Sequence, residues 1–275
     1  MKNFSPFAVG ILMVLIIGLI MLLPVDGIFP MEYFSPFQVE YIARSLKMFV
    51  LFALSAWGIK KMQLKSLSGL SPEYKWTSRL LNLIPIYLFL LGFASFTGND
   101  ISAIVPSDVL LLLFGCLVVG FAEEFMFRGF LQPLFIQKFI SRKNGIFLGV
   151  LFPASFFGAT HLLNLTVNDN VPQVLVQSIY ATFIGFFFGV LLLKTNKLVP
   201  LAITHGLINF FFLLGTLPGV IVSSDIQEGS QGTGSLIGQI IGYMMPMLLV
   251  LPLFIVGLIV LRRVEKEEVL KKIKR

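Results

Sequence analysis

The stretch Phe121-Ala122-Glu123-Glu124-Phe125-Met126-Phe127-Arg128-Gly129 places two adjacent carboxylates and an arginine inside an apolar run from Val109 to Phe135. The only other polar side chains in that run are Cys116 and Gln132. Ionisable groups at membrane depth are costly, so they face a protein interior and mark function by default. On a helix Glu124 and Arg128 are i,i+4 neighbours that can pair, while Glu123 sits about 100° round the axis. One carboxylate is thereby partnered and the other left available. A structural buried ion pair is the plainer meaning of this stretch, and by itself it names no chemistry.

The surrounding composition fits a membrane. Hydrophobic residues make up 56% of the 275, charged residues only 13%, and the mean hydropathy is +0.90. A soluble domain carries nearly twice that charged fraction. The expected fold is all-α, a polytopic membrane helical bundle of about eight transmembrane helices forming a single multi-pass domain over 1–275. Spans are expected near 6–25, 42–60, 79–97, 108–137, 145–163, 173–194, 198–217 and 236–262, each long enough for about 30 Å of hydrocarbon. The first has a long apolar core ending in Leu23-Pro24-Val25-Asp26 rather than a small-residue cleavage site, and reads as a retained anchor. With Cys116 as the one cysteine, neither an intrachain disulfide nor a thiolate cluster is available.

Charge placement sets the orientation. Apart from Arg44, Lys47 and Arg128, every Lys and Arg lies at the start, in the even-numbered loops or in the tail. The alternate loops (27–41, 98–107, 164–172, 218–235) contain none, and hold Glu32, Glu40, Asp100, Asp169, Asp225 and Glu228. By the positive-inside rule both termini are cytoplasmic. The net charge of +7 then meets the anionic inner leaflet, and no nucleic-acid partner is implied.

The chain has two histidines, and both lie in expected spans. His161 closes Phe157-Gly158-Ala159-Thr160-His161, and His205 opens His205-Gly206-Leu207-Ile208-Asn209. Spacing puts His205 and Asn209 on one helix face and Phe157 beneath His161. A lone membrane histidine is often a hydrogen-bonded packing residue; two histidines and a glutamate pair on three helices point to a site. A carboxylate and an imidazole can activate water, while a second imidazole and an amide donate to an oxyanion. Glu123, His161 and His205 are alternatively a candidate zinc set with water in the fourth position, although no His-Glu-x-x-His spacing supports it. Both schemes end in amide hydrolysis.

Glu123-Glu124-x-x-x-Arg128, Phe157-x-x-x-His161 and His205-x-x-x-Asn209, in this order on separate spans, resemble the CPBP family of intramembrane proteases (CAAX protease and bacteriocin-processing, or Abi, proteins). The resemblance covers about 108–217, which would be the catalytic core. It implies an intramembrane endopeptidase of the type II CAAX kind, metallo- or glutamate-dependent, acting on a peptide or membrane protein. Related bacterial proteins are implicated in bacteriocin immunity, peptide maturation and regulatory proteolysis. By similarity Glu123 activates water with His161, His205 and Asn209 stabilise the oxyanion, and Glu124 and Arg128, with Phe157, support the site. A divalent metal such as zinc is the cofactor such a family would use. The site is expected in a water-accessible cavity nearer the cytoplasmic side of the cell membrane. The competing reading is a non-proteolytic membrane scaffold for immunity or regulation, or a proton-coupled carrier. Substrate, cleavage site and oligomeric state are not legible at this level.

Overall fold

The computed structural model describes residues 5–71, 102–220 and 236–273, with side chains left out for 236–246 and 249. The described residues are helical, with no strand among them. The helices are α1 (Pro6–Met21), α2 (Pro36–Lys61), α3 (Pro106–Glu124), α4 (Gln132–Phe139), α5 (Gly145–Thr160), α6 (Val171–Thr195), α7 (Leu198–Leu213), α8 (Leu236–Leu261) and α9 (Lys266–Ile273). Among the described residues six helices are long and apolar enough to cross a membrane, and α8 adds a shorter apolar stretch, Val250–Leu261. The chain is thus a polytopic helical bundle. The expected third span (79–97) and the Gly/Ser-rich loop 223–235 lie outside the described residues.

Helix α2 shows how such a helix chooses its faces. Ala43, Lys47, Leu51, Ser55 and Ile59, spaced by four, are buried, while Leu46, Phe49, Val50, Leu54 and Trp57 are exposed. Both stripes contain apolar residues, because hydrocarbon is the solvent outside. What distinguishes the inward stripe is its small and polar members. The start of α2 is fixed by a capping box, with Ser35 and Gln38 each bonding the other's backbone N–H.

The expected span 108–137 is one continuous run, but not one regular α-helix. After Glu124 the backbone passes into a π-helix over Phe125–Leu131 before α4 resumes. This is the centre of the bundle: it touches α1, α2, α5, α6 and α7, and buries Phe125, Met126, Phe127, Arg128, Gly129 and Leu131. Pro133 has no N–H to give the carbonyl of Gly129. The hydroxyl of Ser68, from the connection after α2, donates to that carbonyl instead.

Around this axis α3 packs on α7 and α2, and α6 on α5 and α8. The α3–α7 contact is backbone to backbone. A Cβ on Gly120 would lie 2.5 Å from the Ala202 oxygen and 2.6 Å from the Gly206 nitrogen. Only glycine permits this approach, and it falls next to the motifs that carry Glu123, Glu124 and His205.

Candidate active site

The three motifs converge where α3 passes into its π turn. Glu124 and Arg128 pair as their spacing predicts, with Nη1 3.1 Å from Oε1 and both side chains essentially sealed from solvent. The ion pair is close, yet Oε2 of Glu124 and both Nη atoms of Arg128 lack a directional hydrogen bond. The guanidinium is held partly by aromatic faces instead, 4.4 Å from the centroid of Phe157 and 5.9 Å from that of Phe188. Room for it comes from α6, where a Cβ on Gly185 would lie 2.9 Å from Nη2.

His205 sits between the two carboxylates. Its Nδ1 is 2.8 Å from Glu124 Oε1, and its Nε2 is 3.4 Å from Glu123 Oε2. The Nδ1 contact is a hydrogen bond, whereas the Nε2 contact is a longer approach.

His161 ends α5. Its Nδ1 lies 2.9 Å from the carbonyl oxygen of Phe157. A carbonyl only accepts, so this nitrogen carries the proton and Nε2 is left as the basic one. The Phe157 ring meets His161 edge-on at 4.9 Å and His205 at 6.0 Å between centroids. That one phenylalanine thus contacts both imidazoles and the arginine.

Above the cluster is a cavity of about 730 Å³, and Glu123, His161 and Asn209 all line it. Glu124, Arg128 and His205 do not. Glu123 is therefore the member of the buried charged group that reaches open space, its side chain 17% exposed against 0% for Glu124. No hydrogen bond or ion pair links His161 directly to Glu123; they share the cavity.

Sequence reasoning missed the rest of the lining. Ile17, Gly18 and Met21 of α1, with Arg44, Lys47 and Met48 of α2, form one side, although both helices lie outside the resemblance. Asn164, Asn168, Gln173 and Gln177 form another. The lining from α1, α2, α6 and α7 comes from the ends of those helices away from Lys60, Lys61, Lys194 and Lys197, while α3 reaches the cavity from Gly115 to Glu123, midway along the run Pro106–Phe139. Helix α5 does begin at Gly145, which carries His161 to the far end of its helix.

The residues weighed as a zinc set do not gather around one point. Among the described residues no group of three or more His, Cys, Asp or Glu side chains is arranged to hold a metal ion.

Residues 105–211 match the family model of the type II CAAX prenyl endopeptidases, Rce1-like. The match confirms the resemblance. No curated protein and no solved structure matches the chain. The Rce1-like segment runs from the start of α3 to Phe211 in α7, and contains all three motifs. Helices α1 and α2, which wall the cavity, fall outside it.

Proposed function

We propose that this protein is an intramembrane endopeptidase that hydrolyses a peptide bond of a membrane-associated peptide or protein. The observation that carries this reading is the division of the carboxylates: Glu124 is sealed and paired, while Glu123 opens onto the cavity shared with His161 and Asn209. Glu123 takes a proton from a water in the cavity as that water attacks the scissile carbonyl carbon. The oxygen of that carbonyl becomes an oxyanion, and the Asn209 amide on the same cavity is the group placed to donate to it. The proton taken by Glu123 passes through cavity water to the basic Nε2 of His161, which hands it to the departing amine as the C–N bond breaks, leaving a carboxylic acid and an amine. His205, bridging Glu123 and Glu124, is a positioning residue. It fixes the carboxylate of Glu123, and Arg128 fixes Glu124 in turn.

A divalent metal would add Lewis-acid polarisation of the carbonyl, but the side chains are not gathered for one, and no step above uses it. The test is cleavage of a quenched-peptide library, including prenylated and hydrophobic members, by wild type and Glu123→Gln, with and without a chelator. Gln keeps the size and cannot act as a base. Loss of cleavage in a folded Glu123→Gln protein is the expected result; retained cleavage removes Glu123 from the chemistry. Cleavage lost to the chelator would restore the metal.

A further inference from the structure

Lys197 is a buried cation that plays no part in the candidate active site. It is the N-cap residue of α7, its side chain is only 8% exposed, and its Nζ has no hydrogen-bond partner. Among the described residues no carboxylate pairs with it. An ammonium buried without a counter-charge is costly. Its position adds to the cost, because a helix start carries the positive end of the macrodipole and favours anions. The first-turn amides of Leu198 and Val199 have no intrahelical acceptor, Pro200 has no N–H, and no side chain caps this end.

The segment packed on this turn brings a second unsatisfied group. Gly69, in left-handed backbone at φ +69°, sits so close that a Cβ there would lie 2.7 Å from the Asn196 carbonyl carbon, the atom bonded to the Lys197 nitrogen. The Gly69 N–H donates to the Ser66 carbonyl at 3.4 Å, and the Ser66 hydroxyl is buried with no partner. The neighbouring lysines are served differently. Lys194 donates to the Arg263 carbonyl at 3.2 Å, and Lys272 bonds the Asn196 side chain and the Leu193 carbonyl. Three ammonium groups thus meet at the turn between α6 and α7, and Lys197 is the one without an acceptor. An ammonium, a hydroxyl and the amides of a helix start are all donors. Their common complement is a compact anion with several acceptor oxygens, as a phosphate group is.

We propose that the α6–α7 turn, with Lys197 and the Ser66 segment, binds one phosphate group, carried by an anionic lipid headgroup or free in solution. The site is separate from the peptidase reading, and its test needs no cleavage. The full chain is purified in dodecyl maltoside, a detergent without phosphate, and titrated with phosphatidic acid or with inorganic phosphate. The melting temperature of wild type should rise to a plateau with added ligand, and Lys197→Met should lose that rise. A rise with the lipid alone assigns the phosphate to a headgroup; a rise with both, or with inorganic phosphate alone, supports a site for the free anion. Ser66→Ala should need roughly tenfold more ligand for half the rise, the loss of one charge-assisted hydrogen bond. Lys60→Met, at an exposed lysine closing α2, should keep the full response. Without ligand, Lys197→Met should melt above wild type, because the unpaired charge is gone. No rise with either ligand, an equal rise in Lys197→Met, or an equal loss in Lys60→Met overturns the proposal. So does a ligand-free Lys197→Met protein that melts below wild type, since its lysine would then have been paired.

Discussion

Gly120→Ala adds a single methyl group, and its effect is expected at the carboxylates rather than at position 120. The new carbon would lie 2.5 Å from the Ala202 oxygen, 2.6 Å from the Gly206 nitrogen and 2.9 Å from its Cα. All three are backbone atoms, so no side chain can turn aside. Reaching ordinary contact requires α3 and α7 to part by roughly 0.8 Å. Moved by the same amount, the 2.8 Å bond from His205 to Glu124 stretches to roughly 3.6 Å, beyond useful hydrogen-bond length. Overpacking costs about 1–3 kcal/mol, and the weakened charged hydrogen bond about 1.5–3 kcal/mol. Activity should fall on the order of 100-fold, the usual scale for a displacement near 1 Å. Thermal unfolding in detergent and peptide cleavage measure the two effects. Gly215→Ala is the control, since nothing lies within 4 Å of the added atom there. Wild-type melting and full cleavage in Gly120→Ala would refute the claim that the backbone contact sets the site.

Arg128→Ala should destabilise by about 3–5 kcal/mol, because Glu124 is left as an uncompensated buried charge; melting and yield report it. Adding Glu124→Gln should recover part of that loss, and equal yields for the single and double variants would count against the pairing. Lys272 tests the tail. Its ammonium is buried, bonding Asn196 and the Leu193 carbonyl, and burial holds its pKa below the usual 10.5. The undocked tail then binds more protons between the lowered value and about 10.5, so docking of α9 strengthens as pH rises through that window and is weakest below it. A nitroxide on a Glu267→Cys variant should lose mobility as pH rises toward 10.5, and unchanged or rising mobility would contradict the linkage.

Much of the site was legible because its determinants are local. The spacing from Glu124 to Arg128 and from Phe157 to His161 is helix geometry, and both contacts are present. The partnered and open carboxylates followed from the same argument. His205 was grouped with the glutamates because polar residues on three membrane helices point to one site, and by the motif resemblance; nothing local brings α7 to α3. The π turn carries no hydropathy signal: apart from Arg128, Phe125 to Leu131 is apolar under either hydrogen-bonding pattern. The walls from α1 and α2 were hidden for another reason. Lipid and protein interior are equally apolar, so Ile17 on the cavity and Leu19 facing outward read alike. Where the cavity falls along the bundle depended on where each helix stops, which composition does not fix.

The π turn has a consequence for chain length. Its i→i+5 bonding accommodates a residue more than an α-helix would over the same path. Removing any one residue between Phe125 and Leu131 would let the run close up as plain α-helix. Everything after the deletion would rotate relative to Glu123 and Glu124, turning Gly129 from Ser68 and Gln132 from its bond to the Gly189 carbonyl. A substitution here alters one side chain, whereas a deletion re-indexes two halves of a membrane helix against each other. The number of residues between the glutamates and Pro133 is thus itself part of the geometry of the candidate site.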